Sequence, residues 1–97
     1  MQVVYLDSAK EDLDSIWDYT AETWSLDQAD TYVDQIQRLI AEAAIDPVQL
    51  KPWPFKASET SRLRANHHYV FVRQIGGELV VIRILHEKMD FFRHLEP

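Results

Sequence analysis

The sequence has no cysteine, few glycines and prolines, and no long apolar run, and each absence excludes a class of protein. Without cysteine, disulfide bonds and thiolate metal sites are excluded, which suits the reducing cytoplasm. Two glycines and four prolines leave no room for a flexible linker, so we expect one domain over residues 1–97. No stretch reaches the roughly 18 consecutive apolar residues of a membrane span, and the first residues lack the features of a signal peptide.

Basic residues are also in the minority. Ten lysines and arginines oppose sixteen aspartates and glutamates, which gives a net charge of −6. Such a charge disfavours a broad nucleic-acid surface, which is ordinarily basic. No HExxH motif, glycine-rich phosphate loop or nucleophile elbow occurs. The adjacent His67 and His68 would point to opposite faces of a strand, so we expect neither a metal site nor a cofactor.

What the sequence does contain is a strong β-hairpin signal in residues 69–86. Two runs rich in β-branched and aromatic residues flank Gly76 and Gly77, which can adopt a positive φ in a tight turn. A turn of only these two residues would place the residues of the two strands in facing pairs. The expected pairs are Gln74 with Leu79, Val72 with Val81, and Val70 with Arg83.

Two amphipathic helices are predicted before the hairpin. A short strand over residues 3–6 comes first, and Ser8 and Glu11 then match a capping box that starts the first helix. Ser25 caps a longer second helix that ends before the Asp-Pro pair at 46–47. The link between the helices is so short that they form an antiparallel αα-hairpin. The apolar positions expected in the core are Leu13, Ile16, Trp17 and Trp24 in the first helix, and Ala29, Tyr32, Val33, Ile36, Leu39, Ile40, Ala43 and Ala44 in the second.

The rest of the chain completes an α+β fold. A proline-rich segment over residues 47–58 is expected to be an ordered connection in which Trp53 and Phe55 pack on the body of the protein. A strand over residues 61–65 leads into the hairpin, and Asp90 caps a final helical turn. We therefore predict an antiparallel sheet (β-α-α-β-β-β, with a short C-terminal helix) that carries the αα-hairpin packed on one face.

Both faces of the hairpin are largely apolar, but the αα-hairpin can cover only one of them. The face that would stay open carries Val70, Val72, Leu79, Val81 and Leu85. Such an apolar row is larger than a monomer normally exposes. Arg83 lies on the same face, and its charge needs contact with water, an acidic partner or a phosphate. We interpret this face as a binding groove. The alternative is that the C-terminal segment, residues 91–95, folds back and closes it.

The order of elements and several motifs resemble the ParE toxins of the RelE/ParE superfamily, and the likeness spans nearly the whole chain. Its most specific part is residues 83–90, Arg-Ile-Leu-His-Glu-Lys-Met-Asp, followed by His94 and Leu95. Weaker likeness comes from earlier parts of the chain, namely residues 8–19, residues 24–29, Tyr32 and Pro47.

The resemblance implies a non-enzymatic toxin of a type II toxin–antitoxin system that inhibits DNA gyrase by binding. It also implies neutralisation by a ParD-like antitoxin in a hetero-oligomer, with DNA reached only through the antitoxin and no role for a membrane. An amphipathic antitoxin helix would fit the open face. The antitoxin groove is accordingly assigned to Val70, Val72, Leu79, Val81, Arg83 and Arg64. The candidate contacts with the target are His86, Met89, Asp90 and Phe91.

Two alternatives stay open. The RelE branch of the superfamily cleaves messenger RNA on the ribosome, and His86 has the residue type of a general base. The basic residues that could stabilise a phosphate are Lys51, Lys56, Arg64 and Arg83. However, no tyrosine follows Tyr69, a net charge of −6 suits the anionic ribosome poorly, and His86 could equally be structural. The second alternative is a non-toxic relative that only binds an antitoxin.

Overall fold

The computed structural model describes residues 1–52 and 60–95. In chain order its elements are β1 (Gln2–Tyr5), α1 (Asp7–Thr23), α2 (Leu26–Ile45), a 3₁₀ turn (Pro47–Gln49), β2 (Lys51–Pro52), β3 (Thr60–Ala65), β4 (His68–Ile75), β5 (Glu78–His86) and α3 (Phe91–Leu95). The expectations for Trp53 and Phe55 fall outside the described residues. Within the described ranges, no helix has the length and apolar character needed to cross a membrane.

One sheet contains all five of these strands, in the order β1-β5-β4-β3-β2. β1 pairs in parallel with β5, and the other neighbouring strands are antiparallel. The predicted α+β class, with an αα-hairpin and a short C-terminal helix, is confirmed. The sheet is mostly antiparallel rather than wholly so, and it contains a two-residue strand, β2, that was not predicted. Pro52 is tolerated there because β2 is an edge strand.

The predicted caps of the two long helices have different outcomes. Ser25 caps α2 as predicted, since its hydroxyl accepts a hydrogen bond from the backbone N–H of Gln28 at 3.0 Å. The capping box predicted for α1 is wrong. This helix begins at Asp7 and has no side-chain cap, because Ser8 lies inside the helix and the N-cap position is held by Leu6. The hydroxyl of Ser8 donates to the carbonyl oxygen of Ile82 at 2.8 Å.

The start of α1 takes the place of a neighbouring strand along part of β5. Strand β1 pairs with β5 only as far as Val81. Beyond that point Ser8 donates to the carbonyl of Ile82, and the carboxylate of Asp12 accepts from the N–H of Ile84 at 2.8 Å. These side chains satisfy backbone groups that would otherwise be unpaired at a strand edge.

The hairpin register matches the prediction near the turn and departs from it further on. Gln74 faces Leu79 and Val72 faces Val81, as predicted. An irregularity between Phe71 and Val72 then shifts the pairing by one residue, so Val70 faces Ile84 and the predicted pair with Arg83 is wrong. A bulge of this kind exchanges the faces of the side chains that follow it, and turn chemistry cannot reveal it.

The helices cover the face that the sequence analysis left open. The sheet residues of the core cluster are Leu63, Ala65, Val70, Val72, Leu79, Val81 and Ile84. They pack with Ala9, Leu13, Ile16, Ile36, Ile40, Ala43 and Ala44 of the helices. The prediction of an open face is therefore wrong, because Val70, Val72, Leu79 and Val81 are buried in this core. Leu85, the fifth residue predicted on the open face, is buried as well.

The face was misassigned because both faces of the hairpin are similarly apolar, so the period-two pattern cannot choose between them. β1 and β3 run in the same direction as each other, and the connection from β1 to β3, which contains the αα-hairpin and the short strand β2, is a crossover between parallel strands. The handedness of such a connection fixes the face on which its helices pack.

Helix α3 covers part of the opposite face. The ring of Phe91 contacts the rings of Tyr69 and Phe71 edge-on, with centroid distances of 5.4 and 5.1 Å. The carboxylate of Asp90 accepts a hydrogen bond from the backbone N–H of Arg93 at 3.3 Å, which is the predicted cap. The C-terminal segment thus closes part of the sheet, but on the face opposite to the one expected.

Candidate interaction groove

A groove of about 750 Å³ lies where the two long helices meet the β3–β4 turn and the turn after β5. Residues from all four places line it, among them Tyr19, Trp24, Tyr32, His68, His86 and Met89. Its volume falls within the range of about 300–1,000 Å³ that is typical of ligand pockets. We refer to it below as the hairpin groove.

The walls of the hairpin groove expose unusually large apolar side chains. Tyr19 is 69% exposed, Trp24 is 70% exposed and Met89 is 46% exposed, while Ile16 is buried beneath them. The prediction that Trp24 belongs to the core is therefore wrong. Trp24 follows the last residue of α1 and directly precedes the Ser25 cap of α2, and this tight link carries it away from the sheet. Neighbouring exposed apolar residues of this size mark an interaction surface.

The floor of the hairpin groove is polar, and its polar groups form hydrogen bonds with one another. The hydroxyl of Tyr32 and Nδ1 of His68 are joined by a hydrogen bond of 2.7 Å, and the N–H of His67 donates to the same hydroxyl at 3.4 Å. Burial lowers the pKa of His68 to about 4, and the nearby His86 and His67 add to this effect. His68 is therefore neutral at pH 7. Burial also raises the pKa of Tyr32.

His86 stands beside His68 in the hairpin groove with a fixed tautomer. The two imidazole rings meet edge to face, with their centroids 5.1 Å apart. The backbone N–H of Lys88 donates to Nδ1 of His86 at 3.1 Å, so Nε2 carries the proton of the neutral ring. Met89 is held nearby because its N–H donates to the carbonyl of His86 at 2.9 Å. His86 thus offers one N–H donor among apolar walls.

A charged network links the two turns at the edge of the hairpin groove. Glu87 accepts from Arg64 at 2.6 Å and pairs with Nδ1 of His67 at 2.9 Å. Arg64 also donates to the hydroxyl of Tyr69 at 2.8 Å. The hydrogen bond from His67 and the charge of Arg64 lower the pKa of Glu87. These groups are solvent-exposed, so the network joins the two turns but contributes little to the stability of the fold.

The structure separates the residues predicted to form one antitoxin groove. Val70, Val72, Leu79 and Val81 lie in the core. Arg83 is bound by Asp12 through hydrogen bonds of 2.8 and 3.0 Å, and Arg64 lies in the surface network. Of the predicted target contacts, His86 and Met89 line the hairpin groove, whereas Asp90 caps α3 and Phe91 packs on the sheet.

Sequence reasoning missed Tyr19, Trp24 and the pair formed by Tyr32 and His68. The position of Trp24 directly before a strong cap signal could have indicated an exposed turn. The proximity of His68 to His86 could not be found from the hairpin pattern. Without the bulge His68 would face Leu85, and only the shifted register brings the two imidazoles opposite each other.

The chemistry of the hairpin groove suits binding. In residues 1–52 and 60–95, no group of three or more histidine, aspartate and glutamate side chains could hold a metal ion. What the groove offers is a large apolar surface with a few donors, which is typical of sites that recognise amphipathic partners.

Comparison with known proteins identifies the class of this fold. A family model described as ParE toxin of type II toxin-antitoxin system, parDE, matches residues 3–91. Among solved structures, a chromosomal ParDE system from P. aeruginosa superposes with a TM-score of 0.77 at 20% identity, covering 89% of this chain and 95% of that one. A YoeB/ParE toxin from Agrobacterium tumefaciens gives a TM-score of 0.62 at 20% identity over 89% and 98% of the two chains. The fold is that of the RelE/ParE superfamily of toxins.

Sequence relatives narrow the assignment. Toxin ParE1 of Mycobacterium tuberculosis is 35% identical over 89 residues, covering 91% of each chain. Toxin ParE1 of Caulobacter vibrioides is 34% identical over 90% of each chain, and Toxin ParE of Escherichia coli is 33% identical over 90% of this chain and 85% of its own. The chain belongs to the ParE toxin family of type II toxin–antitoxin systems. The resemblance read from residues 83–90 is confirmed.

Proposed function

We propose that this ParE-type toxin acts in the cytoplasm by binding DNA gyrase and inhibiting it without chemical turnover. The observation that carries the proposal is the family match over residues 3–91, together with curated ParE relatives at 33–35% identity. The apolar hairpin groove supports a binding mode, since its histidines are engaged in hydrogen bonds or packed between apolar walls.

The partner that neutralises the toxin is proposed to be a ParD-like antitoxin. Membership of a toxin–antitoxin family supports an antitoxin partner, and the solved relative from P. aeruginosa is described as a ParDE system. Arg64 stays a proposed contact, because an acidic antitoxin segment could compete with Glu87 for its guanidinium. Arg83 would first have to leave Asp12, so its proposed role in antitoxin binding is the weaker of the two.

The proposed target contacts are His86, Met89, Asp90 and Phe91. The first two share the hairpin groove, and the other two begin α3 at the adjacent turn. Their closeness along the chain would let a single target surface reach all four.

A supercoiling assay with purified gyrase tests this function. The toxin, freed from any antitoxin by refolding, is added to gyrase and relaxed plasmid, and a parallel reaction contains ribosomes and messenger RNA. We expect loss of supercoiling or accumulation of cleaved DNA, with intact RNA. Cleaved RNA with unaffected gyrase would instead assign the protein to the RelE-like nucleases. Folded protein that is silent in both reactions would contradict both activities.

A further inference from the structure

Charge is distributed very unevenly between the two halves of the chain. Residues 1–46, which contain β1 and the two long helices, carry eleven acidic and two basic residues, a net charge of −9. Residues 47–97 carry five acidic and eight basic residues, a net charge of +3. The overall charge of −6 therefore conceals a basic half of the chain, which contains strands β2 to β5.

Much of this basic charge lies on the sheet face opposite the αα-hairpin. Strand residues that alternate with core residues point away from the core. Along β3 these include Arg62 and Arg64, and along β4 they include Arg73. Lys51 of the edge strand β2 pairs with Arg62 and therefore shares its face. We call the surface formed by these four side chains the arginine face.

The three arginines form a row along the strand direction. Arg64 and Arg62 are two residues apart on β3, and Arg73 faces Thr60, which is a further two residues away on the same strand. Because a strand rises about 3.3 Å per residue, neighbouring members of the row are about 7 Å apart along the strand. The guanidinium carbons of Arg62 and Arg64 lie 5.1 and 5.3 Å from the centroid of the Tyr69 ring, which orients both groups. A regular row of cations can follow a phosphate backbone.

Nearby carboxylates offset the arginine face only in part. Glu87 lies beyond the Arg64 end and is shared between Arg64 and His67. Glu78 lies at the hairpin turn, and Asp90 caps α3. The acidic helices lie on the other side of the sheet, and exposed charges more than about 8 Å apart are largely screened at physiological ionic strength.

The arginine face offers charge but little apolar surface. Phe71, which pairs with Arg62, is 0% exposed, and Leu85, which pairs with Tyr69, is 1% exposed. The ring of Phe91 packs against Phe71. A peptide would need exposed apolar pockets for its anchoring side chains, whereas phosphate contacts alone supply most non-specific affinity for a nucleic acid. The chemistry of this face therefore favours a phosphate backbone over an acidic peptide.

We propose that the arginine face binds the phosphate backbone of DNA, and that the toxin uses it to contact the DNA on which its target acts. The choice of DNA over RNA rests on the proposed function, because gyrase acts on DNA. The contact is independent of base sequence, since cations on phosphates read no base edge. Direct contact goes beyond the expectation that DNA is reached only through the antitoxin.

Salt-dependent binding to a short DNA duplex tests the arginine face. Fluorescence anisotropy is measured between about 50 and 200 mM salt, with folded toxin freed from antitoxin. Three phosphate contacts predict a slope of about −3 for log K against log salt concentration. Arg73→Ala should reduce the magnitude of this slope by about one and weaken binding by about fivefold or more. Arg73→Lys keeps the charge and should stay near the wild type.

The matched control is Arg38→Ala, which removes the same charge from an exposed arginine of α2 on the other side of the sheet. It should leave the slope unchanged and the affinity within about twofold of the wild type. Thermal unfolding establishes that both alanine variants fold. Equal effects of Arg73→Ala and Arg38→Ala on DNA binding would mean that only the net charge matters, and would overturn the site. Failure of the wild type to bind DNA at low salt would also overturn it.

Competing polymers and gyrase separate the other outcomes. Polyglutamate that binds as tightly as DNA, or an RNA duplex that binds about 10-fold more tightly, would overturn DNA as the ligand. In the supercoiling assay, Arg73→Ala should require about fivefold more toxin than the wild type for equal inhibition. Inhibition by the wild type without DNA binding would overturn the site but leave the proposed function standing. DNA binding through the arginine face without any effect on gyrase would support the site and overturn the proposed function.

Discussion

Arg83 and Asp12 form a two-pronged ion pair that ties the last strand of the sheet to the first helix. Nε and one terminal nitrogen of Arg83 donate to the two carboxylate oxygens at 2.8 and 3.0 Å, and one of these oxygens also accepts from the N–H of Ile84. The hydrogen bonds to Asp12 raise the pKa of Arg83. The arginine that the sequence analysis assigned to partner binding is therefore a structural residue in the free toxin.

Removing this carboxylate should destabilise the fold. We expect Asp12→Ala to lower the free energy of unfolding by about 2–4 kcal/mol, because it leaves a mostly buried guanidinium and a strand N–H without their acceptor. The matched control is Asp34→Ala, which breaks the exposed pair with Arg38 on α2 and should cost less than about 0.5 kcal/mol. Both changes gain the same helix propensity. Urea unfolding measures the difference, and equal losses would contradict the structural role of the pair.

The burial of Leu79 in the core leads to a second prediction. Leu79 is fully buried beneath the helices, so Leu79→Ala should cost about 2–5 kcal/mol through lost burial and a cavity. Ile75 on the partner strand is 51% exposed, and Ile75→Ala should cost less than about 1 kcal/mol. Chemical denaturation of both variants provides the comparison. A small loss for Leu79→Ala would restore the original expectation of an open face at this position.

The hairpin turn permits a test with two neighbouring glycines. Gly76 has a φ of +60°, Gly77 is outside the positive-φ region, and nothing lies within 4 Å of an added Cβ at either position. Gly76→Ala should therefore cost about 1–2 kcal/mol through backbone strain alone. Gly77→Ala should be neutral or stabilise by up to about 1 kcal/mol, since it reduces the entropy of the unfolded chain. Thermal unfolding distinguishes them, and the reverse order would contradict this turn geometry.

His68 should make stability depend on pH. Its pKa falls from 6.5 to about 4 on folding, so between these values the unfolded chain binds a proton that the folded chain does not. Stability should therefore decrease as the pH is lowered from about 6.5 to about 4. Above pH 6.5 His68 is neutral in both states, so it should cause no loss of stability there. The groups that act on His68 come from several elements. They are Tyr32 of α2, Asp12 of α1, His86 of β5, and the neighbouring His67 and Glu87.

The variant His68→Gln isolates this contribution, because glutamine can still bond to Tyr32 but does not titrate. Unfolding free energies of both proteins are measured by urea titration at several pH values between 4 and 8. The wild type should lose more stability than the variant over the acidic range. Parallel curves would mean that His68 titrates normally in the folded protein.

Local signals in the sequence were sufficient for most elements of this fold. The Ser25 cap, the end of α2, the turn at Gly76 and the cap at Asp90 all follow from residue types that satisfy backbone groups within a few positions. The apolar stripe of α2 was also predicted correctly, with Ile36 and other members buried. In each case the structure depends on neighbours in the chain.

The failures have a common cause, which is competition from distant parts of the chain. Ser8 matched a helix cap, yet its hydroxyl is used by a strand that lies 74 residues further along. Arg83 was expected to need a partner from outside, but Asp12 supplies one from 71 residues away. The relation between His68 and His86 depends on a one-residue bulge. No local pattern specifies any of these contacts.

By itself, the sequence determined the α+β class, because capping residues and hydrophobic periodicity act between neighbours in the chain. It also determined the family, because the run at residues 83–90 is recognisable as a motif without the structure. The tertiary structure alone decided which face of the hairpin the helices cover. With both faces apolar, that choice depends on the crossover between β1 and β3 rather than on composition. It also decided that Trp24 lines a groove instead of filling the core, since the exposure of a side chain is set by what packs against it.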